Sequence, residues 1–148
     1  MTKKSVGASP SSVACPIKPH YSNCIRTDSG PLLFIAGQVA LNADGKLVGN
    51  GDIRKQATQV LENIRGLVEA NGGTMADIAQ VTVYVRDIAA FDLISDIRES
   101  YFPSEGPASA IVEVSALAWP EFLIEISSIA ALHSCNKIGI PVLSIRFL

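Results

Sequence analysis

Between residues 80 and 85 the chain alternates, with Val81, Val83 and Val85 on one side and Gln80, Thr82 and Tyr84 on the other. A period of two belongs to a strand with one buried face. From residue 53 the period changes: Ile53, Ala57, Val60, Ile64 and Leu67 recur at spacings of four, three, four and three. That stripe predicts an amphipathic helix whose apolar face turns inward, leaving Arg54, Lys55, Glu62 and Arg65 mainly for solvent. Asp52 stands where an N-cap belongs, and Asn71-Gly72-Gly73 is a stop signal. A second helix is expected over 91–102, with Phe91, Ile94, Ile97 and Tyr101 roughly on one side, broken by Pro103 and Pro107.

Strands are expected at 21–27, 32–39, 108–114 and 123–130. Turns at Asp28-Ser29-Gly30-Pro31 and Asn42-Ala43-Asp44-Gly45-Lys46 separate the early elements, and a short helical turn is expected at 74–78. The resulting order is strand, strand, helix, strand, helix, strand, strand. It predicts an α+β domain built on a single mixed sheet, with both helices on one face. The domain spans 20–130. Residues 1–19 lack periodicity and read as a loose, flexible arm. Residues 131–148 read as an added edge strand, a mobile tail or extraneous translated sequence, and carry no assigned function.

Composition sharpens this picture. The 148 residues make one domain, 48 % hydrophobic and only 18 % charged, against roughly 25 % charged in ordinary soluble domains. A sheet face with no helix to cover it and a shortage of charge point to self-association. The net charge of −2 and pI near 5.6 argue against gripping nucleic acid, which requires clustered Lys and Arg. Cys15, Cys24 and Cys135 form no CxxC pair, and no signal-peptide pattern precedes them, so they read as reduced thiols in a cytoplasmic setting. With only His20 and His133 as imidazoles, neither a metal site nor a cofactor is expected. No apolar run reaches membrane-spanning length.

A resemblance then emerges from several segments together. These are Tyr21-Ser22, Leu33-Phe34-Ile35-Ala36-Gly37-Gln38, the stretch from Gln56 to Ala70, and Val81-Thr82-Val83-Tyr84-Val85. The last are Val112-Glu113-Val114, Ile124-Glu125-Ile126 and Ile129-Ala130. Their order and spacing resemble the Rid family, also called YjgF-like or L-PSP-like proteins. The resemblance implies a chorismate-mutase-like (YjgF-like) fold and a homotrimer whose sheets line a central barrel, with a cleft between each pair of neighbouring subunits. For deaminase members it implies hydrolysis of enamines and imines, such as 2-aminoacrylate, to a 2-keto acid and ammonia.

Carried over residue by residue, the resemblance makes Glu125 the catalytic carboxylate that orients water. Tyr21, Gly37, Ser95, Ser109 and Ile111 become substrate-binding positions. The chain departs from the family at Pro107-Ala108-Ser109-Ala110, where Ser109 stands in place of an arginine that forks the substrate carboxylate. Losing a charge-assisted bidentate contact costs on the order of 2–5 kcal/mol. Ser95 replaces a frequent asparagine, and Ile111 a small residue or cysteine. Arg98, three residues from Ser95, could share its helix face and restore a charge; the preferred reading leaves it solvated on the surface.

Each assignment has a plainer counterpart. Glu113 and Glu125 could mark only the wet face of a sheet, and for Glu113 that reading, or a bond between subunits, is preferred. Tyr21 could cover the core edge, Gly37 could serve strand packing, and Ser109 could be an ordinary polar residue at a strand start. The expected function is a homotrimer binding a small metabolite in its clefts and hydrolysing an enamine or imine of unusual type. The alternatives are a non-catalytic small-molecule-binding or regulatory module and, ranked third, an endoribonuclease or translation inhibitor.

Overall fold

The computed structural model describes residues 4–16, 18–28 and 30–133. Eight elements follow in order: β1 (Lys4–Val6), β2 (Ile25–Thr27), β3 (Leu32–Gln38), α1 (Ile53–Ala70), β4 (Ile78–Val85), α2 (Phe91–Tyr101), β5 (Ala108–Glu113) and β6 (Ile124–Ala131). Single 3₁₀ turns at Met75–Asp77 and Ile88–Ala90 lead into β4 and α2. β1 and β2 pair antiparallel as a separate ribbon. The first nineteen residues, expected as a loose arm, therefore contain a strand; its short, polar sequence gives no periodic signal. Of the expected C-terminal tail, residues 134–148 lie outside the described residues.

The main sheet has four strands in the order β3-β6-β4-β5. β6 runs antiparallel to both neighbours, while β4 and β5 run parallel. β3, β4 and β5 therefore point the same way, and each step between them needs a crossover helix. Both steps move in the same direction across the sheet, so right-handed crossovers lay α1 and α2 on the same face. Against that face β4 turns Val81, Val83 and Val85, and β6 turns Ile124 and Ile126. They pack with Ala57, Val60, Leu61, Ile64 and Val68 of α1 and Ile94 of α2 in one buried cluster.

α1 begins where expected, with the Asp52 carboxylate accepting from the Lys55 N–H at 3.1 Å. It ends as Gly72 takes φ +81° and the Gly73 N–H donates to the Val68 carbonyl at 2.9 Å. The buried stripe runs through Val68 rather than Leu67, which is 40 % exposed; from Ile64, a pitch of 3.6 residues favours the position four onward. Gln56, fully buried, donates to the Gly49 and Glu121 carbonyls and accepts from the Leu123 N–H. It thus ties α1 to the loops before it and before β6. Among the described residues no helix is long and apolar enough to cross a membrane.

Among the described residues, no helix covers the other sheet face. Phe34 is 71 % exposed there and Val112 lies open nearby, beside Thr82, Tyr84, Glu125 and Ser127.

Ile64 lies at the centre of the α1–sheet contact with no exposed surface. Ile64→Ala is expected to lower the unfolding free energy by about 2–5 kcal/mol, read as a shift in urea midpoint at unchanged slope.

Candidate functional site

The segment before β2 crosses the start of β5 and is stapled there. Ser22 bridges Ala108 in parallel, its N–H donates to the Pro107 carbonyl at 3.0 Å, and its hydroxyl donates to the Gly106 carbonyl at 2.7 Å. Gly106 makes the approach possible, since a Cβ there would lie 2.0 Å from the His20 carbonyl oxygen. The crossing sets His20 and Tyr21 beside the helix-facing side of β5, where Ser109 and Ile111 lie opposite Val81 and Val83. With Phe91 and Arg98 of α2 these residues line a cavity of about 210 Å³. That is below the 300–1,000 Å³ of pockets for drug-sized ligands and suits a small metabolite.

Arg98 corrects the expectation of a solvated side chain: it is only 2 % exposed. It lies four residues after Ile94, on the inward stripe of α2. Its Nη2 donates to the Ser109 hydroxyl at 2.8 Å, while its Nε is buried with no hydrogen-bond partner among the described residues. Among the described residues no carboxylate pairs with it. Burial pushes its pKa down to about 10, which leaves it a cation at neutral pH.

His20 is buried beside it, 1 % exposed, its ring edge-on to Tyr21 and its Nδ1 without a hydrogen-bond partner among the described residues. Burial, reinforced by the positive charges of Arg98 and Lys18, lowers its pKa to about 4. The imidazole is therefore neutral at pH 7. The pocket holds one buried positive charge and polar atoms with bonding capacity to spare, against walls of Phe91 and Ile111.

Glu125 and Gly37 meet elsewhere. Glu125 pairs with Tyr84 across β6 and β4, on the helix-free face. Gly37 falls where the β3–β6 register slips between Ile35 and Gln38. A Cβ on Gly37 would lie 1.9 Å from Glu125 Oε1, so the bare backbone is what lets the carboxylate lie flat there. Tyr84, Val114, Ala116, Leu117 and Ser127 complete a shallow groove around Glu125.

Within one chain, then, the expected site is divided. Tyr21, Ser109 and Ile111 share the pocket; Glu125 and Gly37 share the opposite sheet face. Ser95 is buried on α2 one turn from Arg98, outside the pocket's lining. Glu113 has a local task, accepting from the Ile88 N–H at 2.8 Å at the entry to α2. The sequence reading missed His20, Phe91 and the burial of Arg98. The spacing of four from Ile94 was the available signal for Arg98.

The lowered pKa of His20 sets a sign for the pH dependence of stability. Between its ordinary value of 6.5 and about 4, the unfolded chain binds a proton that the folded chain refuses, so stability falls as pH falls through this window. Urea midpoints measured across it are expected to decline in the parent protein, and His20→Gln is expected to flatten that decline.

Comparison with known proteins agrees with this architecture. The sequence model of the family described as Endoribonuclease L-PSP matches residues 13–132. A RutC family protein of Pyrococcus horikoshii is 42 % identical over 115 residues, covering 78 % of this chain and 88 % of that one. A protein of Dermatophagoides farinae named 2-iminobutanoate/2-iminopropanoate deaminase is 31 % identical over 118 residues, covering 80 % and 89 %. Among solved structures, the Rid-family protein YyfB of Yersinia pestis superposes with a TM-score of 0.80 at 34 % identity, over 88 % of this chain and 99 % of that one. Shared sequence along nearly the whole domain and a shared mixed sheet with two helices lead to one assignment: the chain belongs to the Rid (YjgF-like, L-PSP) family.

Proposed function

We propose that the protein hydrolyses a small enamine or imine, releasing ammonia, in clefts formed between the subunits of a homotrimer. The observation that carries this reading is Glu125. Its carboxylate is half-buried in a groove on the helix-free face, and among the described residues it has no hydrogen-bond or ion-pair partner. No charge or donor among the described residues competes for its oxygens, so their lone pairs stay open to a ligand. A carboxylate with free lone pairs can hold a water and take its proton as the oxygen adds to a C=N carbon. The tetrahedral adduct then releases its nitrogen as ammonia and leaves a carbonyl, so one water is consumed for each ammonia formed.

The division of the site supports the oligomer. The two halves lie on opposite faces of the sheet in one chain, and exposed Phe34 and Val112 give the helix-free face the apolar surface a second copy would cover. The deaminase name of the Dermatophagoides farinae relative favours this chemistry. RNA cleavage is less well supported: the net charge is −2, and the described residues show no clustered Lys and Arg to grip a phosphate backbone.

The test is release of ammonia and keto product from freshly generated 2-aminoacrylate and from a broader panel of enamines and imines. Turnover of at least one is expected, with Glu125→Gln lowering kcat by about 10²–10⁴-fold, the usual share of a general base. Gly37→Ala is expected to lower kcat while the protein stays folded, because the atoms in the way belong to the flexible Glu125 side chain and not to backbone. Ligand retention with no turnover across the panel would make the protein a binding module instead.

A further inference from the structure

Adding water to a C=N bond and expelling ammonia needs two proton groups, one to take a proton from oxygen and one to give a proton to nitrogen. Glu125 is the first of these. The groove around it is a cavity of about 360 Å³ with an apolar wall at Val114 and Leu117, and its hydroxyl-bearing side chains are Tyr84 and Ser127. An aliphatic alcohol holds its proton too tightly to give it up near neutral pH, whereas a phenol is a much stronger acid. We propose that Tyr84 is the acid of this site, its phenol O–H donating to the substrate nitrogen while Glu125 receives a proton from water. The assignment rests on the hydrolase reading above and adds a second catalytic residue to it.

Strand register places the two groups. Tyr84 and Glu125 stand directly opposite each other on β4 and β6, both half-buried on the helix-free face. Opposed residues of an antiparallel pair have Cβ atoms about 4.5–5.5 Å apart, and a phenol oxygen reaches further from its Cβ than a carboxylate oxygen does. Among the described residues the Tyr84 hydroxyl has no hydrogen-bond partner. Tyrosines in such settings ordinarily find one, so this O–H is left for a ligand. A C=N unit seated between the two side chains meets the water held by Glu125 at its carbon and the phenol at its nitrogen. In the addition step the water oxygen bonds to carbon and its proton passes to Glu125. The π pair of the C=N bond moves to nitrogen, which takes the phenol proton. Proton exchange with solvent then restores the carboxylate and the phenol. In the second step Glu125 takes the proton of the new hydroxyl, Tyr84 again protonates nitrogen, and the C–N bond breaks to give a carbonyl and ammonia.

The test is turnover by the full chain of 2-aminoacrylate and the enamine and imine panel, comparing wild type, Tyr84→Phe, Tyr84→monofluorotyrosine and Tyr84→difluorotyrosine. Tyr84→Phe is expected to lower kcat by about 10²–10⁴-fold, the usual share of a general acid, with little change in KM. The two fluorinated residues keep nearly the size of tyrosine but are progressively more acidic, so kcat is expected to shift stepwise along the series. A packing role would leave that series flat. Unchanged kcat in folded Tyr84→Phe, a loss confined to KM, or equal kcat across the fluorinated series would overturn the proposal, and the series decides the matter even where Tyr84→Phe fails to fold. No turnover of any panel member by wild type would overturn the hydrolase reading and this assignment with it. Turnover that is lost in Glu125→Gln and kept in Tyr84→Phe would overturn the assignment alone.

Discussion

The parallel pairing of β4 with β5 is the constraint on which the site depends. Parallel neighbours cannot be joined by a tight turn, so the chain must leave the sheet and return through a helix. That helix is α2. Its right-handed path lays it over β4 and β5, so its inward stripe must meet the helix-facing side chains of β5. Arg98 sits on that stripe and Ser109 on that side of the strand. Their hydrogen bond follows from topology as much as from the two residues.

A second constraint acts at the level of the backbone. The crossing of residues 20–22 over the entry to β5 depends on Gly106, whose missing Cβ admits the His20 carbonyl, and on the three contacts of Ser22. These contacts close the pocket with a neutral imidazole and a tyrosine. Across the sheet, Gly37 admits a side chain instead of a backbone group, giving the Glu125 carboxylate its place. Both glycines make room for function-bearing groups, one on each face.

Much of this was legible in the sequence. β4 and α1 carry clean periods of two and 3.6, so their inward residues could be assigned in advance, apart from the exchange of Leu67 for Val68 at the last turn. Glu125 sits between two buried isoleucines, which places it on the face away from the core. β5 reads Ala-Ser-Ala-Ile-Val-Glu, without an apolar alternation to say which face holds Ser109; only its register with β4 settles that. Arg98 reads as solvated because charge ordinarily marks solvent, although its spacing from Ile94 puts it on the inward stripe. The separation of Glu125 from Ser109 needs both registers at once, and Glu113 finds its partner 25 residues away at Ile88. Neither relation leaves a local trace.

The buried amide of Gln56 has a mechanical consequence. Through Glu121 and Leu123 it grips the segment entering β6, just past the loop that walls the groove of Glu125. The wall is thereby anchored to the body of α1 as a bracket is bolted to a beam. Because the fastening uses uncharged groups shielded from water, its grip is indifferent to salt and to proton concentration. The groove around Glu125 is thus framed by a joint that neither ions nor protons loosen.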